Sequence, residues 1–377
     1  MTQRPHKAQI LNRVRRIVIK VGSSNLSDAA GVKNESIALI AQSLAALHAS
    51  GKDVVLVTSG AIAAGMSRLG LQGRPKTIPV KQAAAAVGQI ALMALYEQFF
   101  SAHHVRVAQI LLTHDDLANR KRYLNAKHTM RTLLETKAIP IVNENDTVAV
   151  EEIQLGDNDN LSAQVAVLIE ADLLVILSDV PGLYDKDPRA HADARLISLV
   201  DKFDPLLLAS GGAAGPLGRG GMTSKLQAAH KAALSGIPTI IADGRKPETL
   251  SAVFDAHIDI GTLFLPVADR LTSRKHWIAY TLKPAGSLVV DAGACAAIRE
   301  QGRSLLPPGI REVLGEFEDG ECVTCIDEAG KEFARGLVNY NSTALGRIKG
   351  ARTAQIEQIL GYKVSDEVIH RDDLALL

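Results

Sequence analysis

Cysteine is almost missing from this chain. Three occur in 377 residues, Cys295, Cys322 and Cys325. That odd, low count argues against a disulfide framework and suits a reducing compartment. Cys322 and Cys325 have C-x-x-C spacing, but no second pair exists to complete a zinc site. Alternation puts the two thiols on opposite faces of a strand. Aromatic residues are also sparse, at 4%, which weighs against a large RNA-stacking surface. Charge of one sign is lacking too. With 42 basic and 41 acidic residues the net charge is +1, so nothing global points to nucleic acid or an anionic membrane. No uninterrupted apolar run reaches the ~18 residues of a spanning helix. The N-terminus lacks the apolar core of a signal peptide, so a cytoplasmic protein with no membrane segment is expected.

Several catalytic signatures are missing as well. No G-x-x-x-x-G-K-[ST] occurs, no G-x-G-x-x-G follows the first strand, and no G-x-S-x-G elbow exists. Ordinary P-loop, dinucleotide and serine-hydrolase readings therefore lose their footing. None of the eleven histidines stands out as a catalytic base.

What is present is a globular composition, 47% apolar and 22% charged, in a chain long enough for two domains. Over the first 265 residues, short β-branched runs alternate with helical segments. Ile17–Val21, Val54–Val57, Val105–Leu111, Ile139–Val142, Leu173–Leu177 and Thr239–Ile241 read as strands. Residues Glu35–Ala49, Ala83–Phe100, Asn119–Glu135 and Ser224–Leu234 read as helices. Continuously apolar strands separated by helices predict an α/β fold, an open and mainly parallel sheet sandwiched by helices. Composition changes near Pro266, and short alternating pieces with turn residues follow. The predicted division is 1–265 for the α/β domain, 266–283 for a linker, 284–364 for a small, mostly β domain and 365–377 for a tail.

The chemistry gathers where strands end. Asn143-Glu144-Asn145-Asp146 follows a strand, and Gly156-Asp157-Asn158-Asp159-Asn160 opens a helix. In an open α/β sheet those are ligand-binding places. Mixed carboxylates and amides can grip a small zwitterion, the acids taking its ammonium and the amides its carboxylate. Lys20 ends an otherwise apolar strand and is followed by Gly22-Ser23-Ser24, a point charge beside a backbone open to phosphate. A glycine-rich stretch from Gly211 to Gly221 delivers Lys225 to the start of a helix, where the dipole disfavours a cation unless an anion joins it. Thr58-Ser59-Gly60-Ala61 is a strand-to-helix turn able to hold a carboxylate.

Together these segments, with Ser178-Asp179-Val180-Pro181-Gly182 and Gly220-Gly221-Met222, resemble the glutamate 5-kinase family of amino-acid kinases along almost the whole chain. The C-terminal part resembles a PUA domain. The resemblance implies ATP-dependent phosphorylation of the L-glutamate side-chain carboxylate, the opening step of proline synthesis. It assigns glutamate to Ser59, Asn143, Asp146, Asp157 and Asn158. It assigns ATP to Lys20, Ser178, Asp179, Arg219, Gly220, Gly221, Met222, Thr223, Ser224 and Lys225. Lys20, Lys225 and Asp159 would be catalytic, with Asp159 orienting the two lysines. Arg219 departs from the small hydroxyl residue common before Gly-Gly-Met. Mg²⁺ is implied by phosphoryl chemistry, although the sequence shows no dedicated metal cage. A homo-oligomer (dimer or tetramer), feedback inhibition by proline and hand-off to glutamate-5-semialdehyde dehydrogenase are further implications. Acetylglutamate, carbamate and uridylate kinases share the sheet and the lysines. PUA domains often bind RNA, which keeps an RNA-binding or RNA-modifying protein as the reading from another class.

Overall fold

Strands without a polar face must be covered on both sides. Ile17, Val18 and Ile19 are fully buried, as are Val54 to Val57 and Leu173 to Ile176. The computed structural model describes residues 3–28, 31–71, 73, 75–148, 158–203, 221–267, 275, 278–279 and 282–377. The chain forms two units, Met1–Asn119 with Asn125–Val267, and Arg120–Leu124 with Ala268–Leu377.

The strands of the first unit are β1 (Arg16–Val21), β2 (Asp53–Thr58), β3 (Arg106–Leu112), β4 (Ala138–Glu144), β5 (Leu173–Ser178), β6 (Leu199–Val200), β7 (Thr239–Asp243) and β8 (Thr262–Phe264). They form one sheet in the order β3-β4-β2-β1-β5-β7-β8-β6. Pairing is parallel except between β7 and β8. The predicted mainly parallel sheet is therefore present. Its register matters for function. Lys20 stands beside Val57 and Ile176, Val57 beside Val142, and Ser178 beside Asp243. Five strands thus bring their carboxyl ends level, which is the ligand-binding edge of such a sheet.

The helices are α1 (Arg4–Leu11), α2 (Ser23–Leu26), α3 (Asn34–Ala49), α4 (Ala61–Arg68), α5 (Ile78–Ser101), α6 (His114–Ala118), α7 (Arg120–Glu135), α8 (Asn158–Leu168), α9 (Met222–Leu234) and α10 (Thr249–Val253). By length and mean hydropathy α5 has the character of a membrane-spanning segment. It buries Ala84, Ala85, Gly88, Leu92 and Tyr96, and Leu92 and Tyr96 belong to the core that includes β1, β2 and β4 side chains. It meets α4 backbone to backbone. A Cβ on Gly88 would stand 1.8 Å from the Ala61 carbonyl oxygen, and one on Gly65 would stand 1.7 Å from that of Ala84. Only glycine allows this approach.

Helix α1 was not evident from the sequence. Polar residues anchor it. The fully buried Gln3 donates through Nε2 to Gly261 O at 2.8 Å, and Lys7 donates to Ala252 O and Ile258 O, both at 2.7 Å.

The second unit carries β9 (Gly286–Val290), β10 (Ile310–Leu314), β11 (Cys322–Asp327), β12 (Glu332–Leu337) and β13 (Leu374–Leu376), in the order β10-β9-β11-β12-β13. It also holds α11 (Ala292–Gln301), α12 (Ser342–Ile348) and α13 (Ile356–Leu360). Residues 365–377 do not trail away from it. They supply the edge strand β13, and Val368, Ile369 and Leu374 join the core of Leu288, Val323, Cys325 and Tyr340. Cys322 packs on the other side of β11 with Ile278, Leu337 and Ala375. All three cysteines are free and buried, and burial pushes the Cys325 thiol up to about 12.

Candidate active site

From Ile17 to Ile19 the central strand β1 is apolar, and Lys20 follows with its side chain all but buried. A buried ammonium needs an anion, and α8 supplies it. Asp159, in the first turn of α8, places Oδ1 2.6 Å from Lys20 Nζ. Its second oxygen is 3.1 Å from Lys225 Nζ and accepts a hydrogen bond from Ser224 Oγ at 2.7 Å. Lys225 and Ser224 lie in the first turn of α9, which begins after Gly221. A cation at a helix N-terminus is disfavoured by the dipole, and Asp159 offsets that here. Burial by itself would raise the Asp159 pKa. The charges of Lys20 and Lys225, then the hydrogen bonds from Lys20 and Ser224, outweigh burial and hold the carboxyl well below the usual carboxylate range. Lys20, Asp159 and Lys225, predicted as a catalytic group, are thus brought together. Gly22 lies beside them, and a Cβ there would meet Lys20 Nζ at an ordinary contact distance of 3.4 Å.

One residue earlier, Asn158 begins a chain of amides. Its Nδ2 donates to Thr58 O at 2.8 Å, Ser59 Oγ at 2.7 Å and Asn143 Oδ1 at 3.1 Å. Asn143, at the carboxyl end of β4, donates through Nδ2 to Gln89 Oε1 at 2.8 Å. Ser59, Asn143 and Asn158 are therefore joined directly. Gly60 follows in the left-handed region, at φ +104°, and turns the chain into α4. Thr58 Oγ1 is hydrogen-bonded to the buried Tyr96 hydroxyl at 2.8 Å, which ties α5 to the end of β2. Burial pushes the Tyr96 phenol above its ordinary pKa, so it stays neutral.

Asp146 lies in the turn after β4. With Gln89, Glu144, Asn145 and Thr147 it lines a cavity of about 250 Å³. Ser178 ends β5, and its hydroxyl donates to Asp179 at 3.2 Å. Register sets Lys20 beside Ile176, so both residues follow just beyond it at the same end of the β1–β5 pair. Next along, Arg245 forks onto Asp243, with Nε to Oδ1 at 2.8 Å and Nη2 to Oδ2 at 2.7 Å, and these bonds hold the Asp243 carboxyl low. Gly221, Met222 and Thr223 open α9. Asp157, Arg219 and Gly220 lie outside the described residues.

Two buried polar residues went unnoticed in the sequence. Gln89 interrupts the apolar run Val87-Gly88-Gln89-Ile90-Ala91, and an amide on an otherwise alanine-rich helix was the available signal. Asn25, on α2 beside Gly244, has neither side-chain atom hydrogen-bonded among the described residues. No group of three imidazole, thiol or carboxylate side chains among the described residues is placed to hold a metal ion.

Paired lysines on one buried carboxylate, at the carboxyl edge of a parallel sheet and beside a relay of amides, define a protein of the amino-acid kinase class. Residues 15–243 match the model of the Amino acid kinase family, and residues 286–360 match that of the PUA domain. The glutamate 5-kinase of Thioalkalivibrio sulfidiphilus is 53% identical over 371 residues, covering 98% of this chain and 99% of that protein. Those of Geobacter sulfurreducens and Geobacter metallireducens are 51% and 52% identical over 373 residues, each covering 98% of this chain and 100% of the relative. The chain belongs to the glutamate 5-kinase branch of the amino acid kinase family.

Proposed function

We propose that this chain transfers the γ-phosphoryl group of ATP to the side-chain carboxylate of L-glutamate, giving L-glutamyl 5-phosphate and ADP, the first step of proline biosynthesis. The observation that carries the reading is the Lys20–Asp159–Lys225 cluster beside the Asn158–Asn143 relay. A carboxylate oxygen attacks the γ-phosphorus, a new P–O bond forms, and the bond to the β-phosphate oxygen breaks with ADP leaving. The acceptor is already ionised at neutral pH, so no general base is required. The work is to bring two anions together and to stabilise charge on the transferred group. Lys20 and Lys225 supply that charge, with Asp159 orienting them. Ser59, Asn143, Asp146, Asp157 and Asn158 take glutamate. Ser178, Asp179 and the stretch from Arg219 to Lys225 take ATP.

Mg²⁺ belongs to the reading as the nucleotide's counter-ion. Mg²⁺ in such sites is held largely by phosphates and water rather than by an all-protein cage. We place the enzyme in the cytoplasm as a homo-oligomer inhibited by proline, handing its product to glutamate-5-semialdehyde dehydrogenase. Residues 1–265 form the catalytic domain in this reading, and the PUA-like part is a separate module.

The test is Mg²⁺-dependent ADP release with L-glutamate, N-acetyl-L-glutamate, L-aspartate or no acceptor, with hydroxylamine trapping any acyl phosphate. Glutamate-specific turnover with hydroxamate is expected. ATP binding without turnover on glutamate would overturn the assignment.

A further inference from the structure

We propose that Gln89 is a specificity-determining residue of the acceptor site: it fixes the Asn143 amide and supplies the unpaired donor that takes the α-carboxylate of the amino acid. The inference rests on the glutamate reading above and extends it to a residue on α5.

Hydrogen-bond logic settles the amide orientations. The Glu144 backbone N–H points at Asn143 at 2.9 Å. A backbone N–H only donates, so the Asn143 atom facing it is the oxygen. Asn143 Nδ2 is then the atom 2.8 Å from Gln89, and Gln89 must answer with Oε1. Its Nε2 is the group left over. That donor is buried and has no hydrogen-bond partner among the described residues. At the other end of the relay, Asn158 spends Nδ2 on Thr58, Ser59 and Asn143, and its Oδ1 has no donor among the described residues. An unpaired buried polar atom is costly to keep. Two at the ends of one relay, one donor and one acceptor, are complementary to the carboxylate and ammonium of an α-amino acid.

The surroundings agree. Gln89 lines the cavity of about 250 Å³ that Glu144, Asn145 and Asp146 also line. None of the lining side chains among the described residues is cationic. Asp146 suits an ammonium there, and a carboxylate has only neutral donors to meet. Gln89 is also held firmly. It follows Gly88, whose backbone abuts the Ala61 carbonyl, and Tyr96 further along α5 is hydrogen-bonded to Thr58. A donor fixed by backbone contact can discriminate between an acceptor and its close analogue.

Gln89→Glu separates the two parts of this role. A glutamate still accepts from Asn143 Nδ2, but it replaces the free donor with an anion. Steady-state kinetics on the full-length enzyme would compare L-glutamate with its α-carboxamide, isoglutamine. In Gln89→Glu the glutamate KM is expected to rise at least tenfold, the ATP KM to stay within twofold, and the preference for glutamate over isoglutamine to fall at least tenfold. Wild-type glutamate KM and preference in that variant would overturn the proposal. Should Gln89→Glu not fold, Gln89→Met, of similar volume, gives the same reading: a raised glutamate KM with an unchanged ATP KM supports the role, and an unchanged glutamate KM overturns it. The wild type is assayed first. If it shows no glutamate-dependent turnover, the parent reading falls and Gln89's role with it. Wild-type turnover with an indifferent Gln89→Glu removes only the latter.

Discussion

Lys20 and Lys225 share one carboxylate. The first lies one residue before the end of the central strand and the second in the first turn of a helix far along the chain, yet their ammonium groups meet opposite oxygens of Asp159. Both lysines and the aspartate are buried. Among these three side chains two positive charges face one negative, in a cluster at the edge where five strands end. Phosphate oxygens would complete it.

Removing either ammonium should therefore cost rate more than fold. For Lys20→Ala, turnover is expected to drop about 10²–10³-fold, the cost of one well-placed donor to a developing anion. Far-UV circular dichroism should remain that of the wild type. Near-normal turnover would dismiss Lys20 from the chemistry.

Removing the carboxylate should do the opposite. Asp159→Asn takes the shared carboxylate charge away from two buried ammonium groups, a change that typically costs about 3–5 kcal/mol. Urea titration should show that loss, and added ATP should recover more stability in the variant than in the wild type. Equal ATP stabilisation of both proteins would speak against phosphate taking the place of the carboxylate.

Asn158→Ala removes the donor to Ser59 and Asn143 together. The glutamate KM is expected to rise at least tenfold with little change for ATP. Loss of ATP affinity with a constant glutamate KM would place Asn158 on the nucleotide side.

Gly88→Ala tests the helix crossing. The new methyl group would fall on the Ala61 carbonyl, so α4 and α5 must separate, at about 1–3 kcal/mol. A thermal midpoint within a degree of the wild type would mean that the crossing yields freely.

Lys7 gives stability a dependence on pH. Burial lowers its pKa from 10.5 to about 8, against the opposing pull of Asp255 and Asp259. The folded value lies below the unfolded one, so the unfolded chain binds more protons between about pH 8 and 10.5. Unfolding free energy should rise with pH across that window and show no contribution from Lys7 below it. The rise should amount to about 1–3 kcal/mol, since one pKa unit is about 1.4 kcal/mol. Urea midpoints for the wild type and Lys7→Met, compared from pH 7.5 to 10.5, would show whether the slope vanishes with the amine.

The sequence reveals the sheet because its strands are buried on both faces and carry no competing pattern. It reveals Lys20, Asn143, Asn158 and Asp159 because polar residues that end apolar elements have few structural uses. Its failures have the opposite cause. Gln3 and Lys7 anchor α1 by hydrogen bonds to carbonyls, so the buried side of that helix reads as polar. Gln89 lies within an alanine-rich helix whose one glycine suggests weakness, when Gly88, like Gly65 on α4, marks close contact. In the C-terminal unit, α11, α12 and α13 are too short to show a period. Strand β13 reads as a tail because three residues give no alternation to follow.

All three sulfhydryl groups lie in the C-terminal unit, each inside its folded layers. The unit that holds the lysines has none. A thiol-reactive dye added to the native enzyme is therefore a clock for the opening of the C-terminal unit and blind to the other. A single cysteine introduced on the surface of the kinase unit would take a label without any native thiol having to be removed.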